Sequence, residues 1–147
     1  MLPLRVEYAG EMAKVLSDPD LYTFIGGQPP SVEAVEDRYR RQLAGPDRED
    51  EQWLNWVMQR DDELVGYVQA TITGDTAEIA WVVGTPWQGN GYAKEAALGL
   101  VRWLDAQGIE RVIAHVHPDH AASAAVTTAA GLTRTDQLDD GEYLWST

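Results

Sequence analysis

The residues best able to do chemistry lie between Thr76 and Ala97. An apolar run from Thr76 to Val83 reads as a strand. It leads into a loop, Gly84 to Gly89, that holds Pro86, and from Gly91 the pattern turns helical. The first N–H groups of a helix have no partner inside it. They point outward together with the positive end of the helix dipole, so a diphosphate is the natural occupant of such a place. Gly89 and Gly91 leave the backbone bare where the phosphates would approach. Two other readings meet the same residues. A flexible turn needs nothing beyond the glycines. A dinucleotide fingerprint wants a third glycine where Lys94 stands, and a parallel βαβ unit in front of it. A Walker loop is excluded, because no Gly-Lys-Ser/Thr is present.

The supply of nucleophiles and metal ligands is thin. The chain has no cysteine, which excludes disulfides, thiolate metal sites and an acyl-enzyme on sulfur. Its serines are Ser17, Ser31, Ser123 and Ser146, and none sits in a Gly-x-Ser-x-Gly elbow. His115 and His117 would share one face of a strand, with His120 close behind. No carboxylate at ligand spacing joins them, so packing and loop roles are expected and no metal.

These residues need elements to hold them. Leu4 to Tyr8 alternates apolar and polar side chains like a short strand. Helices are expected over Glu11–Leu16 and Val32–Leu43, the second capped by Ser31 behind Pro29-Pro30. Trp53–Arg60, Glu63–Thr73 and Thr76–Val83 read as strands, joined by tight turns at Asp61-Asp62 and Gly74-Asp75. Links so short force an antiparallel meander. Ala93, Ala96, Ala97, Leu100, Val101 and Leu104 then form one helical stripe that Gly108 ends. A strand over Arg111–Val116 and a helix from about Asp119 to Ala130 follow. Two short strands around Asp139-Asp140-Gly141 close the chain. The result is an α/β fold with a mixed, mostly antiparallel sheet flanked by helices, in one domain over residues 1–147.

Composition bounds the partners. The 147 residues are 44% apolar, enough for one core, and Ala44 to Asp50 is a loop inside the domain. No apolar run is long enough to span a membrane, and Met1 to Gly10 lacks the pattern of a signal peptide, so the cytoplasm is expected. A net charge of −13 repels a phosphate backbone and excludes nucleic acid as the main partner. It attracts a cationic small molecule or a basic protein terminus, and it equally keeps an acidic protein soluble. The oligomeric state stays open, a homodimer included.

The string Trp87-Gln88-Gly89-Asn90-Gly91-Tyr92-Ala93-Lys94-Glu95-Ala96 resembles the pyrophosphate loop of the GNAT family of N-acetyltransferases, whose pattern is Gln/Arg-x-x-Gly-x-Gly/Ala. It looks most like the subgroup of ribosomal-protein N-terminal acetyltransferases of the RimJ/RimL type. The order of elements is also that family's order. The resemblance covers most of the chain from about Gln52 onward. The family's later motif is present in part: His120 stands where asparagine is usual, Ser123 matches, and Gly131-Leu132 replaces Gly-Phe. Many members carry a tyrosine as general acid four residues before that glycine, and here the position is Thr127.

The resemblance implies an acetyl-CoA-dependent enzyme that passes the acetyl group directly to a primary amine, without a metal. It implies that Trp81, Val82, Val83, Gln88, Gly89, Asn90, Gly91, Tyr92, Ala93, Lys94, His120 and Ser123 contact the CoA. A backbone N–H at Val82 or Val83 would polarise the thioester carbonyl. An amine with a pKa of about 10.4 needs a base near pH 7, and Glu78, acting through water, is the residue the family suggests. Ser123 would protonate the thiolate or bind the CoA arm. The acidic cluster Asp139-Asp140-Glu142 is a hairpin turn first and an acceptor-amine contact second. A non-catalytic acyl-CoA-binding module is the alternative function, kept open by Thr127.

Overall fold

The computed structural model describes residues 1–24 and 26–147. Seven strands form one sheet in the order β1-β2-β3-β4-β5-β7-β6. They are β1 (Leu2–Pro3), β2 (Glu51–Arg60), β3 (Glu63–Thr73), β4 (Thr76–Val83), β5 (Arg111–Val116), β6 (Thr133–Asp139) and β7 (Glu142–Ser146). All neighbours pair antiparallel except β4 and β5. The parallel pair needs a long crossover, and α3 (Tyr92–Ala106) supplies it. The short links at Asp61-Asp62 and Gly74-Asp75 hold the β2–β3–β4 meander, as their length requires.

Helices cover both faces. On one side lie α1 (Ala9–Val15) and α2 (Val32–Ala44), where Met12, Val15, Val35 and Tyr39 pack on Val57 and Leu64. The Ser31 hydroxyl caps α2 by accepting from the Ala34 N–H at 3.1 Å. On the other side α3 and α4 (Ala121–Ala129) pack on Val68, Ala70, Ala77, Ile79, Val112 and Ala114. The stripe behaves as its spacing demands: Ala96, Ala97, Leu100 and Leu104 are buried, and Ala93 and Val101 pack at its margins.

One expectation fails. Leu4 to Tyr8 is not a strand: pairing stops at Pro3, apart from a bond from Leu4 N–H to Asn55 O at 3.1 Å, and Val6–Tyr8 winds into a 3₁₀ turn. The alternation was a true record of burial, since Leu4 is buried between exposed Pro3 and Arg5. Ala9 and Met12 must reach the core through α1, so the chain turns helical before a strand can extend.

Candidate active site

Strands β4 and β5 pair over three rungs only, the last joining Glu78 to Ile113. Beyond it they part, although β4 runs on to Val83 and β5 to Val116. Each stays paired on its outer side, β4 to β3 and β5 to β7. The inner edges of the fork therefore carry main-chain groups with no strand opposite. A cavity of about 740 Å³ opens there, lined by Ile79–Val83 of β4, His115 and Val116 of β5, and the starts of α3 and α4.

Alternation along β4 decides which groups face the opening. The Gly84 N–H donates to Val65 O on β3 at 2.8 Å, and Val82 O also points at β3, against Gly66. Val83 O points the other way, where Gln88 Nε2 donates to it at 3.0 Å. In an antiparallel strand the N–H and C=O of one residue point to the same side, and the next residue reverses. Trp81 and Val83 thus turn their N–H groups into the fork. Of the two candidate donors, Val83 turns its backbone N–H into the fork, whereas the backbone of Val82 faces β3.

The loop between β4 and α3 leaves main-chain N–H groups open towards the cleft. Gly89 and Gly91 have φ of 81° and 82°, the left-handed region that glycine enters without strain. Trp87 packs into the core beneath α1 and anchors the loop. Gln88 ties it back to β4, and Asn90 Nδ2 donates to Trp87 O at 3.0 Å. Among the described residues, the N–H groups of Gly89, Asn90, Gly91, Tyr92, Ala93 and Lys94 make no hydrogen bond within the protein, and Gly91 offers no side-chain cap. Gln88, Gly89, Gly91, Tyr92, Ala93 and Lys94 line the cavity. Asn90 does not: its side chain braces the loop from outside. Arg60, at the end of β2, sits over the Tyr92 ring at 5.6 Å, which adds a cation that the sequence pattern did not mark.

At the other end of the fork the histidines are drawn apart electrostatically. His115 lies between two carboxylates, with Nδ1 2.5 Å from Glu78 Oε1 and Nε2 3.0 Å from Asp139 Oδ2. Burial pushes its pKa down, but the hydrogen bonds and charges of Asp139 and Glu78 outweigh that, and the net direction is up. His120 moves the opposite way, lowered by burial and by the charge of His117 against an upward pull from Glu142. Its Nε2 lies 3.4 Å from the Ser123 hydroxyl, and Phe24 stacks on its ring at 4.5 Å. Phe24 also meets His117 at 5.1 Å, so the segment after α1 reaches across to the start of α4. His120, Ser123, Phe24 and His117 all line the cavity; Glu78 does not, though its neighbour His115 does.

Thr127 is fully buried and absent from the lining. Its hydroxyl donates to Ala124 O at 2.8 Å within α4, so it has neither the position nor the free proton of a general acid. Lys94 is the one lysine or arginine among the lining residues, beside the acids Asp20, Asp119 and Glu142. Among the described residues no group of three or more His, Asp or Glu is placed to hold a metal ion. None of the helices is long and apolar enough to cross a membrane among those residues.

The model of the acetyltransferase (GNAT) domain family matches residues 1–133. The chain belongs to this family and is an acetyl-CoA-dependent acetyltransferase. No curated protein matches it. Among solved structures it is similar to the microcin C7 self-immunity acetyltransferase MccE in complex with acetyl-CoA and AMP. Identity is 18% and the TM-score 0.81, over 100% of this chain and 89% of that one. It is also similar to a GNAT-family acetyltransferase from Bacillus anthracis, with 19% identity and a TM-score of 0.80, over 99% and 91% of the two chains. A third is the aminoglycoside acetyltransferase AAC(6')-Ib in complex with coenzyme A and kanamycin, with 14% identity and a TM-score of 0.79, over 99% and 91%. At these identities the likeness is one of fold.

Proposed function

We propose that this chain transfers acetyl from acetyl-CoA directly to a primary amine, as an N-acetyltransferase of the RimJ/RimL type acting in the cytoplasm. One observation carries the reading: a single cleft joins unpaired amides at the mouth of α3 to unpaired main-chain groups on the forked β4. The first suit a diphosphate, the second a pantetheine amide and a thioester carbonyl. Lys94 and Arg60 stand beside the phosphate end and offset the repulsion that a net charge of −13 imposes on a polyanion.

In this reading the amine enters from the side of Phe24, His117 and Glu142. The acids Asp20, Asp119 and Glu142 favour a cationic acceptor such as a protein N-terminus or a polyamine. Glu78, half exposed at the base of the fork, takes the amine's proton through water. The nitrogen lone pair attacks the carbonyl carbon, the Trp81 and Val83 N–H groups stabilise the oxyanion, and the nitrogen of the adduct sheds its second proton to solvent water. As the C–S bond breaks, Ser123 gives its proton to the thiolate and regains one from solvent. His120 Nε2, 3.4 Å from that hydroxyl, is placed to donate to the serine oxygen as its proton leaves. The fold keeps the two reactants aligned without a covalent intermediate.

The test is thiol release from acetyl-CoA with a protein N-terminus, an aminoglycoside, a polyamine and a small metabolite amine as acceptors. Release with at least one is expected. Glu78→Gln should slow it by roughly 10²-fold or more, while acetyl-CoA still raises the melting temperature of the variant. A melting temperature raised by acetyl-CoA with no thiol released from any acceptor would make the protein an acyl-CoA-binding module instead.

A further inference from the structure

We propose that the proton of the amine does not stop at Glu78 but passes to His115, with Asp139 holding the ring: the base is a Glu78–His115–Asp139 chain laid across the foot of the fork. The inference rests on the transferase reading and deepens it. Three observations carry it. Glu78 is on the last paired rung of β4 and β5, and His115 is two residues further along β5, so the imidazole crosses the point where the strands separate. Both ring nitrogens are within hydrogen-bond distance of a carboxylate, one from β4 and one from β6. His115 lines the cleft and Glu78 does not.

Asp139 is itself held. Gln137 Nε2 donates to its Oδ2 at 2.9 Å, and the hairpin rung between Asp139 and Glu142 fixes its backbone. Three strands distant in sequence thus converge on one imidazole. A ring bridging two carboxylates is suited to carry a proton from one to the other's field.

The step balances as follows. In the active form, above its raised pKa, His115 is neutral, with Nε2–H donated to Asp139. An ammonium N–H bond breaks as an O–H bond forms on Glu78, through the intervening water. That O–H bond breaks as an N–H bond forms on His115 Nδ1. The ring becomes an imidazolium between two carboxylates, and the amine nitrogen keeps its electron pair for attack. The proton returns to solvent before the next turnover. Asp139 and Glu78 are the charged groups that act on the ring, and the other titratable groups lining the cleft include Glu142 on β7, His117 beyond β5, His120, Tyr92, Asp20, Asp119 and Lys94. His115 and Asp139 act through Glu78 and are positioning residues.

The test joins two measurements on the whole chain. Imidazole ¹⁵N spectra report the titration of His115 directly, one of only three histidines and assignable with His115→Gln. The pH profile of kcat/KM for thiol release reports the catalytic base. The limb that rises with pH should coincide with the His115 titration, because the ring accepts only when neutral. Asp139→Asn removes an anion that favours the imidazolium, so both should move to lower pH together. His115→Gln should lower kcat/KM at least roughly tenfold and abolish that limb, with acetyl-CoA binding retained. An Asp139→Asn variant whose His115 titration moves while its rate profile stays put would overturn the relay and leave the transferase reading intact. A wild-type protein that releases no thiol with any amine would overturn both.

Discussion

The wall of the cleft rests on a contact between two backbones, and one methyl group tests it. Gly66 on β3 lies opposite Val83 of β4. A Cβ at Gly66 would stand 2.1 Å from Val82 O and 3.0 Å from Val83 Cα and Met58 Cε. Ordinary contact begins at 3.4 Å, so the carbonyl must retreat by about 1.3 Å, the difference of the two distances. Met58 is flexible and can yield, but Val82 O is main chain at the end of β4 and cannot yield alone. Gly66→Ala therefore overpacks the β3–β4 seam, at about 1–3 kcal/mol. Each kcal/mol lowers the melting temperature by roughly 2–4 °C at this chain length. The displaced segment carries the Trp81 and Val83 N–H groups, and a shift of about 1 Å in such donors costs on the order of 10²-fold in rate. Gly99→Ala is the control. Gly99 is an exposed position within α3 with nothing within 4 Å of an added Cβ. That change should stabilise by about 0.5–1 kcal/mol and leave activity alone. Melting curves and thiol release on both variants are the assay. A Gly66→Ala protein that melts and turns over like the parent would refute the argument that this close approach positions the cleft.

Three further outcomes follow from single side chains. Gly91→Ala forces a Cβ onto a φ of 82°, costing about 1–2 kcal/mol, and it should weaken acetyl-CoA binding, read by calorimetry, far more than it lowers the melting temperature. Tyr39 carries a buried hydroxyl with no partner among the described residues, so Tyr39→Phe should stabilise by about 1 kcal/mol in thermal melts. Burial first, then Tyr67, pushes the pKa of that phenol up to about 12 from 10.0. The unfolded chain therefore loses the proton first, stability falls as pH rises from 10 towards 12, and Tyr39→Phe should flatten that slope in alkaline melts. Thr127→Val removes a hydroxyl that bonds only within α4 and should cost about 1 kcal/mol with kcat unchanged; a large loss of kcat would restore Thr127 as the acid.

Local pattern determined most of this protein. Turn chemistry at Asp61-Asp62 and Gly74-Asp75 leaves no way to connect β2, β3 and β4 except as a meander, and the 3.6-residue stripe from Ala93 to Leu104 names the face that α3 buries. Glycines ahead of a helix start are enough to mark where unpaired amides gather, because those amides depend on nothing outside that segment. Where local pattern misled, at Leu4 to Tyr8, alternate burial was real but a helix had first claim on the backbone.

What depended on distance could not be read this way. His115 and Asp139 are 24 residues apart and meet only because β7 inserts between β5 and β6 and the hairpin folds Asp139 back over β5. Phe24 stacks on His120 across nearly a hundred residues of chain, and no periodicity records such a pair. Even the choice between Val82 and Val83 waited on which neighbour each backbone group faces. Hydrogen-bonding types and helix starts are properties of short segments, so the residues carry them openly. The opening of the fork is a property of strand pairing, in which β4 and β5 each find a partner on the outside and none within, and only the assembled sheet decides that.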